Sequence, residues 1–318
     1  MDHAYPSAAM SRKFTDADEL AHTLRGASVD YTALHRGAYD ARLTVMMLGT
    51  LTLHHAYDGA HSSRGATAAG MTTLLLPMGP MTQVTMNGRE VSETTAVLIA
   101  PGGDLASVCR TAHSWAAITL PAWEFEHILD RWGTDIPGTG GHGHLRLSSG
   151  AARRIQSTIA AGVKRAVAMG DALTGSDLAP AFGDTLREML AALGDGFEQR
   201  QAEPDRMNRD AQRLVRRAED FLAANLDRPI YSDELCRVLG VSQRKLHNDC
   251  MAACGMSPQA YLKRRRLGLV RRALMSGDRG AMRVKTVAMM HGFWHLGHFS
   301  HDYRDMFGEL PTDTLARH

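Results

Sequence analysis

Between residues 41 and 120 the chain is a succession of short apolar or alternating runs. "ARLTVMMLGTLTLHHAY", "MTTLLLP", "MTQVTMNGREV", "TAVLIAPG" and "SWAAITLP" are separated by Gly, Pro and Asn, which is the punctuation of β-strands. Asn87-Gly88 predicts a two-residue type I′ hairpin, because both central positions of that turn need positive φ. Several short strands joined in this way predict an antiparallel barrel or sandwich. From Ser148 the period becomes helical, with "SSGAARRIQSTIAAGVKRAVAMG" and then "APAFGDTLREMLAALGDGF". The stretch "EQRQAEPDRMN" is polar, aperiodic and carries one proline, so it reads as an interdomain linker. Everything after it reads as helix.

Within the first helical stretch, Ile155, Ile159, Val163 and Val167 recur every four residues, opposite Arg153, Gln156 and Lys164. Such a stripe packs either on the chain's own β-rich part or on the same helix of a second copy. In the C-terminal part, Leu235, Val238 and Leu239 fall on one helical face and Gly240 supplies a left-handed turn. Ser242 then caps a second helix that carries Leu246 and Cys250 inward. That is a helix-turn-helix. The pattern recurs: Val284, Val287 and Ala288 line one helix, His291-Gly292 ends it, and Phe299, Tyr303 and Phe307 line the next. A long basic helix around "PQAYLKRRRLGLVRRALMSG" joins the two.

Charge sharpens this division. The chain's net charge is +2, yet residues 209–318 hold 19 basic and 12 acidic residues, a balance of +7, and the remainder holds 17 against 22, a balance of −5. Only the C-terminal part is set up to meet a polyanion. The N-terminal residues show neither an apolar core nor a cleavage signature of a signal peptide, and no run approaches the length of a membrane helix. Cys109, Cys236, Cys250 and Cys254 are too unevenly placed for a disulfide framework. These features predict a cytoplasmic protein with no membrane partner.

"LGVSQRKL…CGMSPQAYLKRRRL", the Gly292-Phe293 pair, the aromatic ladder after it, Phe307-Gly308 and Pro311 resemble the signature of the AraC/XylS family of bacterial transcription regulators. The resemblance covers residues 209–318. More loosely, "NGREV" and the "W…ITLP" ending resemble the cupin-like effector or dimerisation domain of one branch of that family. The resemblance implies an α+β chain in which a cupin-like antiparallel β-barrel and helices precede an all-α domain with two helix-turn-helix motifs. The divisions expected are a flexible arm over 1–19, a β-rich effector or dimerisation domain over 20–147, its helical segment over 148–197, a linker over 198–208 and the DNA-binding domain over 209–318. It further implies a homodimer in the bacterial cytoplasm, associated with the nucleoid. Two helices of one chain would enter successive major-groove segments of promoter DNA, ~34 Å apart. A small-molecule effector would act through the N-terminal domain, and RNA polymerase would be a partner if the chain activates. Cys250 stands where members carry a bulky aromatic and Val270 where they carry alanine; Gly268 costs its helix roughly 0.5–1 kcal/mol relative to alanine.

On the first recognition helix Gln243, Arg244, His247 and Asn248 point away from the apolar face. Arginine can grip guanine bidentately and Asn or Gln adenine, so Arg244 and Asn248 are the leading base readers. On the second, the matching surface is Leu296, Gly297 and His301, flanked by His295 and His298. Lys245, Lys263, Arg264, Arg265, Arg271 and Arg272 are expected on phosphates, which position without specifying. The histidines of "MMHGFWHLGHFSHDYRD" do not present a two-ligand face, since only His291 and His295 are four apart and Gly292 interrupts them. Cys250 and Cys254 are read as core. His54, His55 and His61 invite a metal triad, but the His-x-His…Glu arrangement of metal cupins is missing, so no metal or other cofactor is expected. No ligand-binding residue is identified; Trp115, Trp123 and Trp132 fit packing as well as a pocket. Binding, not catalysis, is the expected chemistry. The alternatives are an N-terminal domain that only dimerises or meets a partner protein, and a metal-dependent cupin enzyme fused to a DNA-binding tail.

Overall fold

A computed structural model describes residues 8–34, 39–133, 141–170, 177–200, 206–225, 228–276 and 283–317. Two units emerge, one of Met1–Tyr31 with Asp40–Glu203, the other of Thr32–Tyr39 with Pro204–His318.

Two antiparallel sheets build the first unit. The larger runs, in hydrogen-bonded order, β1 (Ala8–Phe14), β3 (Ala41–Leu48), β4 (Leu51–Asp58), β11 (His113–Pro121), β6 (Met71–Pro77), β9 (Thr95–Ile99), β12 (His142–Leu147) and β13 (Phe197–Arg200). The smaller runs β2 (Ala27–Ala33), β5 (His61–Thr67), β10 (Asp104–Cys109), β7 (Val84–Met86) and β8 (Arg89–Glu90). With the helices this is the expected α+β class, but the barrel is corrected to two open sheets. Among the described residues the edge strands β1, β13, β2 and β8 pair with no strand of the other sheet, so neither closes. Asn87 (φ 46°) and Gly88 (φ 79°) form the predicted turn between β7 and β8. The Asn87 amide also clamps β10, donating to the Asp104 carbonyl at 3.0 Å and accepting from the Ala106 N–H at 2.7 Å.

Alternation along the larger sheet divides its work. Leu51, Leu53, Leu74, Leu76, Ala96, Leu98, Ala116, Ile118 and Leu120 form one core with helices α2 (Ala122–Trp132), α3 (Ser149–Met169) and α4 (Leu178–Ala192). His54, Thr73, Leu75, Trp115, Ala117 and Thr119 line a cavity shared with the smaller sheet. Burial on both faces explains why Leu74, Leu75 and Leu76 follow one another in β6. Arg187 of α4 ties helices to sheet, donating to Glu124 Oε1 at 2.6 Å and Thr50 Oγ1 at 2.8 Å.

Two expectations change here. Ala8–Phe14, assigned to a flexible arm, pairs with β3 from Ala8↔Met47 to Phe14↔Ala41, and α1 (Ala17–Thr23) follows it, capped by Asp16. Ser, Arg and Lys on an edge strand hide its alternation. At the other end, the expected 198–208 linker starts inside β13, and residues 201–205 lie outside the described ones. The α3 stripe belongs to the unit's own core: Ile155 and Ile159 are fully buried and Val163 nearly so, whereas Val167 is 50% exposed. It does not supply a dimer seam. Ile159→Asp should therefore unfold this unit, seen by circular dichroism, because an uncompensated charge in a packed core is costly; folded monomers by light scattering would restore the seam.

In the second unit the helices are α5 (Arg206–Ala223), α6 (Ser232–Leu239), α7 (Gln243–Cys254), α8 (Pro258–Ser276), α9 (Val284–Met290), α10 (Leu296–Phe307) and α11 (Pro311–Arg317). They make two cores. Leu214, Val215, Leu235, Leu239, Leu246 and Cys250 pack with Tyr261 and Leu262 from the start of α8. Leu267, Val270 and Leu274 from the rest of α8 pack with Val287, Ala288, Phe293, Phe299 and Tyr303. Gly268 lies between the two sets, and a Cβ built there meets nothing within 4 Å. Gly268→Ala is expected to stabilise this unit by roughly 0.5–1 kcal/mol through helix propensity, as a rise in the denaturant midpoint; a fall would show that the position is not open.

Candidate nucleic-acid interface

Helix α7 is held from one side only. Gly240 closes α6 in the left-handed region (φ 68°), and the Ser242 hydroxyl accepts the Lys245 N–H at 3.2 Å to start α7. Leu246 and Cys250 are buried while Gln243, Arg244, Lys245, His247 and Asn248 are exposed. Val238, expected beside Leu235 and Leu239, is 44% exposed, since it sits at the margin of the α6 stripe. The side chain of Cys254 lies outside the described residues. Two of the α7 polar groups have partners within the module: Gln243 donates to Asp233 at 2.6 Å and Lys245 to Asp249 at 2.8 Å. Arg244, His247 and Asn248 form the outward face.

The second motif repeats the plan with different chemistry. Gly292 has φ 78°, and a Cβ there would come within 2.6 Å of Pro229, so the α9–α10 turn needs glycine twice over. Phe299 and Tyr303 are buried, with the Phe307 ring tilted against Tyr303 at 4.6 Å. His295 precedes α10 as its cap residue, and with Gly297, His298 and His301 it is exposed. Leu296 packs partly against the second core. His301 stands 3.6 Å from Asp305 and the His295 and His298 rings are 6.3 Å apart, edge to face. Trp294, 64% exposed next to this surface, was not singled out from sequence; its place just after the Gly292-Phe293 turn was the available signal.

The basic residues of α8 sort by partner. Arg271 is 12% exposed, lies over the Phe307 ring and reaches Glu309 at 3.4 Å. Arg264 donates to the carbonyls of Ala33 and Leu34. Lys263 pairs with Asp302 at 2.6 Å, which links α8 to α10. Arg265 is half-buried and Arg272 exposed. Arg271 and Arg264 thus serve the fold directly, which a count of positive charges along a helix does not show.

The first unit encloses a cavity of about 60 Å³, lined mainly by apolar atoms with His54, His61, His113, Cys109, Ser63 and Ser107. His54 and His55 do not converge, because neighbours on a strand face opposite ways; the histidines that meet are His61 and His113, stacked at 5.4 Å. Trp115 lines the cavity, Trp132 packs in the helical core and Trp123 is exposed. Asp58 is fully buried behind the cavity wall; its Oδ2 accepts Trp115 Nε1–H at 2.8 Å and the Tyr31 hydroxyl at 3.5 Å. Burial pushes the Asp58 carboxyl up to about 7 against those hydrogen bonds, and the Cys109 thiol up to about 12.

A helix-turn-helix domain family model matches residues 235–317. Over 102 residues, 32% of this chain, the sequence is 35% identical to XylDLEGF operon transcriptional activator 2 of Pseudomonas putida, covering 65% of that protein. The C-terminal part is thus a helix-turn-helix domain similar to that of this activator. A second XylDLEGF operon transcriptional activator of Pseudomonas putida is 35% identical over 101 residues, 32% of each chain. The probable thc operon regulatory protein of Rhodococcus erythropolis is 32% identical over 102 residues, 32% of this chain and 31% of that one. The chain thus spans about a third of the length of most of these relatives. The crystal structure of the AraC-like transcriptional activator CuxR overlays with a TM-score of 0.44 at 16% identity, over 88% of this chain and 99% of that one; at that level it carries no argument.

The cavity of the first unit also sets a pH dependence. His54 Nε2 accepts the Arg25 N–H at 3.0 Å, and burial, reinforced by the Arg25 charge, pushes its imidazole down to about 4. The unfolded chain takes up this proton near pH 6.5 and the folded chain does not. The stability contribution is therefore full above pH 6.5 and lost as pH falls toward 4, roughly 3 kcal/mol across the window. His54→Gln should flatten the fall of unfolding free energy between pH 7 and 4; parallel curves for the two proteins would contradict the assignment.

Proposed function

We propose that this chain is a sequence-specific, DNA-binding transcription regulator in which α7 and α10 enter successive major-groove segments of promoter DNA. The observation that carries the reading is the one-sided anchoring of α7: Leu246 and Cys250 are locked in the core while Arg244, His247 and Asn248 face outward from a helix capped by Ser242. That is the presentation a base-reading helix needs. In this reading Arg244 grips guanine and Asn248 adenine, with Gln243 and His247 beside them. His295, Gly297, His298 and His301 read from α10, where Leu296 meets a thymine methyl. Lys245, Lys263, Arg265 and Arg272 hold phosphates; Arg264 and Arg271 contribute mainly by holding α8.

The β-rich unit, with its cavity between two sheets, is the sensing part, and a small-molecule effector is its expected input. Two chains on paired half-sites complete the assembly, joined elsewhere than through α3. Several relatives are named transcriptional activators; if this chain acts likewise, RNA polymerase is a further partner. The chemistry is binding rather than catalysis, at the nucleoid in a bacterial cytoplasm, and no described helix is long and apolar enough to cross a membrane.

Arg244→Ala is expected to cost about 1–3 kcal/mol of affinity for the cognate site and to relax preference at one base pair. Arg272→Ala should weaken all sequences alike and reduce the salt dependence. The measurement is binding to a panel of single-base operator variants; the same specificity profile for both proteins would overturn the assignment of α7.

A further inference from the structure

We propose that the β-rich unit binds a transition-metal ion of the zinc class between His61, Cys109 and His113. One donor atom from each residue lies within 4.8 Å of those of the other two, and all three residues are buried. Their convergence follows from strand register. His61 on β5 stands directly opposite Cys109 on β10, and His113 on β11 directly opposite Asp58 on β4. Each sheet contributes one cross-strand pair, and both pairs lie at the same end of the cavity wall.

The chemistry of the donors points to a metal. His61 Nδ1 lies 2.9 Å from the Gly59 carbonyl and His113 Nδ1 3.3 Å from that of Thr111. A carbonyl only accepts, so each Nδ1 is the donor in these contacts and Nε2 is the nitrogen of the matching tautomer that takes a metal. Metal-binding histidines are oriented in this way by their outer partners. Asp58 adds an independent observation: although the residue is fully buried, its Oδ1 has no hydrogen-bond partner. A divalent ion held by the three donors would offset that buried charge. Bound to the Cys109 thiolate beside the Asp58 carboxylate, it makes a site of zero net charge, the cheapest state in a low-dielectric interior. The metal–sulfur bond forms as the thiol proton leaves to solvent. Two imidazoles and a thiolate select zinc-like ions over magnesium or calcium, which take oxygen donors.

All three residues belong to the first unit, so metal uptake and operator binding are read in separate assays. The test uses the full chain, stripped with a chelator and then given Zn²⁺ or Co²⁺. One zinc per chain should survive gel filtration, and Co²⁺ should give a sulfur-to-cobalt charge-transfer band in the near ultraviolet. Cys109→Ser should abolish that band, whereas His298→Gln/His301→Gln, which alters the exposed histidines of α10, should keep it. His113→Gln leaves the thiolate but removes a ligand, and should weaken cobalt binding by at least about tenfold. It also decides the matter should Cys109→Ser fail to fold by circular dichroism. A wild-type chain without the band, a band that survives Cys109→Ser, or unchanged affinity in His113→Gln would each overturn the proposal.

Discussion

Burial on two opposite sides of one element is the constraint on which both units depend. In the second unit that element is α8: its start, through Tyr261 and Leu262, completes the core of the first helix-turn-helix, and its remainder, through Leu267, Val270 and Leu274, completes the second. Neither motif has a full core without it. A helix gripped at both ends is a rigid spacer of 1.5 Å per residue, so the relation between α7 and α10 is set by packing. The Lys263–Asp302 and Arg271–Glu309 pairs reinforce the α8 side of that joint. Lys245, Lys263, Arg264 and Arg271, expected to meet phosphate, are thus already engaged within the unit.

The larger sheet plays the corresponding part in the first unit. One face is sealed by α2, α3 and α4, so the other is left to form a chamber with the smaller sheet. A chamber walled by strands places side chains by register, and register brings His61, Cys109, His113 and Asp58 to one end although Asp58 and His113 are 55 positions apart in sequence. The unit accepts buried ionisable groups at a cost: Asp58 and Cys109 are held toward their neutral forms and His54 far from its ordinary titration range.

The two helices proposed to read DNA differ in what they offer it. On α7 the outward face is hydrogen-bonding, with Arg244, His247 and Asn248; around α10 it is imidazole, glycine and an exposed indole. In the proposed reading, direct donor and acceptor contacts concentrate in one half of the recognition element, and shape and apolar contact in the other. The four histidines that suggest a metal site in the sequence are spread along a turn and one exposed helix face, where Gly292 breaks the helical spacing between His291 and His295.

Local chemistry made much of this protein legible from its residues alone. The Asn87-Gly88 turn, the Gly240 and Ser242 capping signals and the Phe299–Tyr303–Phe307 ladder are short-range patterns, and each determines its own backbone or face whatever the rest of the chain does. The family signature in the C-terminal part is legible for the same reason. What only tertiary structure decided are the properties that depend on partners far away in sequence. The edge strand Ala8–Phe14 is a strand because β3 pairs with it. The α3 stripe is core because a sheet lies beneath it. Arg271 is structural because Glu309 and Phe307 arrive from another helix. The His61–Cys109–His113 cluster exists only once two sheets face each other, since a period-two pattern tells which side of a strand a residue takes but not which strand will stand across from it.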